Sequence, residues 1–144
     1  MILKSIIFIH ILAATIWTGG HLVLALGFLP KALKRNDFGI IEAYESRYEP
    51  IGLPSLLILV LTGIYMTAFY SPDVLNFEWQ DHYTRHILLK FGLLLLTIIL
   101  AVHARFFLIP KKSLRPLAVH IIAVTILAVL FVLLGFSVRS GGIL

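Results

Sequence analysis

Four long apolar runs dominate this chain, and they decide what it can fold into. They cover about residues 5–29, 51–70, 86–109 and 117–138. A helix rises about 1.5 Å per residue, so about 20 apolar residues cross the hydrocarbon core of a bilayer. Each run is long enough to do so. In lipid every backbone N–H and C=O must be satisfied within the segment, which leaves the helix as the spanning form for such runs. The expectation is an all-α integral membrane four-helix bundle, one domain over residues 1–144.

Composition supports this. The chain is 60% hydrophobic and 13% charged, against roughly 25% charged in a soluble domain. A soluble fold of this size has too little interior to hide that surface. The lipid bilayer is therefore its main partner. The net charge of +5 does not point to nucleic acid, because the cations sit in short loops between apolar spans. The N-terminal run is longer than a signal-peptide core and reads as a retained span. Proline marks the expected span ends at Pro30, Pro50, Pro72, Pro110 and Pro116, with Pro54 set to kink the second span.

The cations also orient the chain. Lys31, Lys34, Arg35 and Arg47 follow the first span, and Lys111, Lys112 and Arg115 follow the third. The other side has Lys4, Arg85 and Arg139 with Asp73, Glu78 and Asp81. The positive-inside rule places the first two loops in the cytoplasm and both termini outside. This fits a multi-pass protein of a bacterial-type inner (plasma) membrane. Residues 37–49 are mildly amphipathic and are expected along the interface. Trp79 and Tyr83 in the outer loop are expected as interface anchors.

Ionisable residues inside a membrane are costly and mark function. No Asp or Glu falls in the four runs, which argues against a carboxylate proton relay. Cysteine is absent, which excludes thiolate metal and iron–sulfur sites. What the spans carry is histidine. His10 and His86 lie toward the outer side, and His21, His103 and His120 toward the inner side. His10 and His21 are nearly three turns apart, about 16 Å, on one face. His86 and His103 differ by roughly 100° around their helix, so they do not share a face.

Four-helix bundles hold cofactors between facing helices, and axial histidine is a common haem ligand. The pattern suggests His21 with His103 or His120 for an inner haem b, and His10 with His86 for an outer haem or a copper ion. Two such layers would carry electrons across the bilayer to a redox partner such as a quinone. Gly19, Gly20, Gly63, Gly92 and Gly135 would let backbones approach a macrocycle. Arg105 and Lys90 are candidate partners for haem propionates. His82 and His86, spaced i, i+4, share a helix face and with His10 form a candidate metal site. The plainer readings are packing glycines, hydrogen-bonded histidines and snorkelling cations.

The segment Ile9-His10-Ile11-Leu12-Ala13-Ala14-Thr15-Ile16-Trp17-Thr18-Gly19-Gly20 resembles the start of copper-resistance D (CopD) type membrane proteins. It is also similar to the HemJ family of haem proteins implicated in protoporphyrinogen oxidation. Leu61-Thr62-Gly63-Ile64-Tyr65 and Leu88-Leu89-Lys90-Phe91-Gly92 resemble further elements of the same broad group. The HemJ resemblance implies b-type haem at His10 and Lys90. The CopD resemblance implies copper uptake across the inner membrane.

Three functions are expected from these features. The first is a b-type haem protein in electron transfer or a related oxidoreductase reaction. The second is copper transport or copper handling without haem, although Cu(I) favours soft ligands and the only methionines are Met1 and Met66. The third is a structural subunit with no cofactor. A homodimer is compatible with so much outward helix surface.

Overall fold

A computed structural model describes residues 1–142. It contains four long apolar helices, which are α1 (Ile2–Arg35), α2 (Phe38–Tyr70), α3 (His82–Leu108) and α4 (Leu114–Ser140). They run alternately up and down. The two termini and the 71–81 loop share one end, which the distribution of cations makes the outer one. The Asn36–Asp37 turn and the 109–113 turn form the inner end.

The helices begin and stop for local reasons. Asp37 caps α2 by accepting from the Gly39 N–H at 2.9 Å. Asp81 caps α3 by accepting from the Thr84 N–H at 2.7 Å. Both satisfy donors that a helix start leaves open. Asn36 ends α1 in the left-handed region (φ 49°), where Asn is tolerated. Gly141 ends α4 at φ 85°.

The first span runs past the proline expected to end it, the second begins before its own, and the third stops short of Pro110. In α1 a π-turn at Leu24–Phe28 precedes Pro30, and the helix continues to Arg35. In α3 a π-turn at Ala104–Leu108 precedes Pro110. A proline ring clashes with the carbonyl four residues back. Those carbonyls belong to Leu26 and Phe106, each inside its π-turn, so the wider turn takes up the clash. Pro50 and Pro54 lie inside α2, which is one helix of 33 residues. The expectation that 37–49 lies along the interface is therefore corrected: the segment continues the second span. At about 1.5 Å per residue, α1 and α2 are each about 50 Å long, well beyond a hydrocarbon core of about 30 Å.

The closest helix pairs are α1 with α2, α3 with α4, and α1 with α4. The backbones of α2 and α3 lie farther apart. They are linked at the inner end by Arg105 and Glu49 (3.0 Å).

The interior changes character along its length. At the inner end Leu24, Leu29, Ala32, Ile41, Leu108, Leu117, Ala118 and Ile121 form an apolar core. In the middle, Trp17, Val124 and Ala128 pack with Leu56, Leu59 and Leu100, so all four helices contribute. Toward the outer end most buried side chains are polar, Thr62, Ser71, Thr84, His86 and Ser137, with Ala13 and Leu134 among them. Ser71 and Thr84 hydroxyls bond at 2.8 Å. Many large apolar side chains, such as Phe8, Leu26, Leu57, Leu95 and Phe136, face outward, which is the arrangement a lipid solvent selects.

Candidate functional site

The outer half brings together three segments that are distant in sequence. His10, Thr62 and Lys90 each lie eight residues from the outer end of their helix, at Ile2, Tyr70 and His82 respectively. That places all three about 12 Å below the outer end. His10 Nδ1 is 2.7 Å from Thr62 Oγ1. The Thr62 hydroxyl is 2.6 Å from the Ile58 carbonyl, to which it donates. Its oxygen is then left to accept, so His10 carries its proton on Nδ1. His10 Nε2 is consequently a bare lone pair, and it has no hydrogen bond among the described residues.

Two glycines flank this group. A Cβ on Gly63 would sit 3.7 Å from His10 Cε1, and one on Gly135 would sit 3.9 Å from Lys90 Nζ. Lys90 is near enough to His10 to act on it electrostatically. No hydrogen bond or ion pair to Lys90 occurs among the described residues. The site is thus an imidazole and an amine facing glycine-bearing helices within a polar interior.

The other candidates are placed differently. His86 is fully buried with both ring nitrogens engaged: Nδ1 at 2.7 Å from the His82 carbonyl and Nε2 at 2.9 Å from Ser137 Oγ. It braces α3 against α4. His82 lies beside it, ring centroids 4.3 Å apart, with a buried Nε2 that lacks a partner among the described residues. Asp81, next to it, faces solvent. The Thr84 N–H, then the Thr84 hydroxyl, and then nearby His82 and Arg85 hold its carboxyl below the usual range. Among the described residues no three His or carboxylate groups converge as a metal cage, so His10, His82 and His86 are not brought together as one.

His21 donates its Nδ1–H to the Trp17 carbonyl (2.8 Å) and packs on the rings of Trp17 and Tyr48. It does not hydrogen-bond or stack with His103 or His120. Those two meet each other, His103 Nδ1 lying 2.8 Å from His120 Nε2. Arg105 is taken up by Glu49.

Sequence reasoning missed Tyr48 and Tyr44. The Tyr48 ring fills the notch of Gly20, where an added Cβ would collide with it, and it also abuts Gly52. The Tyr44 hydroxyl donates to the Gly20 carbonyl at 2.6 Å. The gap expected to receive a macrocycle at Gly20 therefore receives a tyrosine. The only sequence signal was small residues opposite an aromatic pair four residues apart. Two surface grooves, of about 420 and 350 Å³, are lined by residues such as Leu26, Leu33 and Ile126, and by Phe28, Tyr44 and Arg47; neither contains a histidine.

Residues 42–138 match the family described as "CopD: Copper resistance protein D". No curated protein and no solved structure matches the chain. The match covers the second, third and fourth helices and leaves His10 outside it. The four apolar helices make this a multi-pass membrane protein, and with the family they fit a bacterial-type inner membrane. By a match over most of its length, the chain belongs to the copper resistance protein D family.

Proposed function

We propose that this chain is a copper-handling membrane protein that binds copper through imidazole within the bundle and passes it between the two sides. The observation that carries this reading is the state of His10. Its Nδ1–H is fixed by Thr62 and its Nε2 is a free lone pair. A metal-binding histidine is oriented in this way, by a partner on its other nitrogen. Imidazole suits copper, and with no cysteine and few methionines it is the ligand type this chain can offer. The family supports copper as the cargo.

The test is metal analysis of the detergent-purified protein after copper loading, with copper accumulation measured in overexpressing cells. Stoichiometric copper that falls in His10→Ala, with altered accumulation, supports the reading. Copper-free protein and unchanged accumulation would overturn it.

A second reading has one specific observation in its favour. His10 and Lys90 lie at one depth, each facing a glycine of a neighbouring helix. The donor chemistry fits a haem b, with His10 and Lys90 as the residues that would hold it, and the resemblance of their segments to HemJ proteins points the same way. Bound haem would supply one-electron chemistry. Thr62 would orient the imidazole, and the surrounding apolar helices would exclude water. A Soret band with sharp reduced α and β bands in protein from haem-supplied cells supports this reading. A colourless sample removes it.

A further inference from the structure

At the inner end His103 of α3 and His120 of α4 present nitrogens to each other. His120 Nδ1 lies 3.0 Å from the Pro116 carbonyl. A carbonyl can only accept, so His120 carries its proton on Nδ1, and its Nε2 is a lone pair. That lone pair faces His103 Nδ1 at 2.8 Å. His103 Nδ1–H therefore donates to it, and the two rings lie nearly parallel, 4.9 Å apart with 24° between their planes. One proton holds together two nitrogens that would otherwise both be ligands.

The separation also matches that of two cis ligands on a metal, and each ring has only to tilt so that its nitrogen aims at an ion beside the line joining them. Two imidazole nitrogens bound at about 2.0–2.1 Å, at right angles on a tetragonal ion, lie about 2.8–3.0 Å apart. Square-planar or tetragonal nitrogen coordination is the preference of divalent copper. Local structure fixes the rings in this pose. The His120 ring is tied to Pro116 in the first turn of α4. The His103 ring stacks on Phe107 at 5.4 Å within the π-turn that comes after it. His103 lies five residues from the inner end of α3, and His120 six from the start of α4, so the pair sits near the inner end of the bundle.

We propose that His103 Nδ1 and His120 Nε2 form a cis two-imidazole site for divalent copper at the inner end of the bundle. The proposal rests on the copper reading and deepens it by naming where copper leaves or enters on that side. On binding, the proton of His103 moves from Nδ1 to Nε2, and the copper takes the Nδ1 lone pair. The neutral pair keeps its proton count. Only two protein ligands are supplied, so the remaining positions stay open to water or to an acceptor. Such a site exchanges copper rather than storing it.

The experiment is Cu(II) titration of the full-length protein in detergent, read by binding isotherm and electron paramagnetic resonance. It compares wild type with His103→Gln, His120→Gln and the double variant. The expected result is a nitrogen hyperfine pattern from two imidazoles. Its affinity should fall about tenfold or more in each inner variant, a loss of the size seen on disturbing metal ligation. Glutamine keeps the side chain polar, and helical content and a monodisperse profile verify folding. A double variant whose copper affinity and nitrogen pattern equal those of wild type overturns the inner site but leaves the copper reading standing. Wild-type protein that takes up no copper overturns both.

Discussion

The ring of Tyr48 occupies the notch of Gly20. Its hydroxyl reaches past that notch to the carbonyls of Trp17 (3.1 Å) and Ile16 (3.2 Å). This contact locks α1 to α2 just inward of the bundle centre. A Cβ at Gly20 has nowhere to go unless the ring leaves. Gly20→Ala should therefore destabilise the protein by about 1–3 kcal/mol, the usual cost of overpacking. Tyr48→Phe, which keeps the ring and loses the hydroxyl, should cost about 1 kcal/mol. Thermal or denaturant unfolding in detergent checks both, and equal effects would sink the assignment of the ring as the main contact.

Thr62 acts on His10 by accepting its Nδ1 proton. Thr62→Val keeps the shape and removes the acceptor. Metal affinity at His10 should drop about 10- to 100-fold, as for loss of a partner that orients a ligand. Thr62→Ser should restore most of it. Equal affinities in Val and Ser variants, by isothermal titration, would remove the positioning role.

Lys90 separates the two functional readings. Under the copper reading its positive charge opposes a cation at His10, so Lys90→Leu, which brings no ligating atom, should raise copper affinity. Under the haem reading the same change removes a ligand, so it should shift the absorption bands or lower haem content. Measuring both properties on one preparation decides between them.

Ser137 and His86 form a bond between α4 and α3 with both residues wholly buried. Ser137→Ala leaves His86 Nε2 without that donor. The expected loss is about 1–3 kcal/mol of stability, the penalty of an unsatisfied buried polar atom. Unfolding midpoints of wild type and variant provide the comparison, and an unchanged midpoint would show that another group substitutes.

Asp81 caps α3 with a carboxyl held below its usual range, mainly by the Thr84 N–H. A folded-state value lower than the unfolded one means the cap stabilises above the ordinary carboxylate range and fades as pH falls through the folded value. Asp81→Ala should therefore lower the melting point at neutral pH. The difference from wild type should close only in acid, below about pH 4. A gap that persists unchanged in strong acid would contradict the capping role.

The sequence alone determined the solvent, the number of spans and their alternation. Those come from hydrophobic runs of bilayer length and from the placement of cations, both of which are properties of residue order. It also marked His10, Thr62-Gly63 and Lys90 as parts of one pattern, because their segments resemble a family. Other features depended on tertiary structure, since hydrogen-bond partners are set by how helices rotate against each other. Packing gave His86 a buried partner in Ser137 and left His10 with a free nitrogen, although both are histidines in apolar helices. Packing also brought His103 to His120 rather than to His21, and filled Gly20 with Tyr48. These pairings escape a sequence reading because they join residues far apart in the chain, such as His10 with Thr62 and His103 with His120. Helical periodicity reports which residues of one span share a face, but not which face of the next helix they meet.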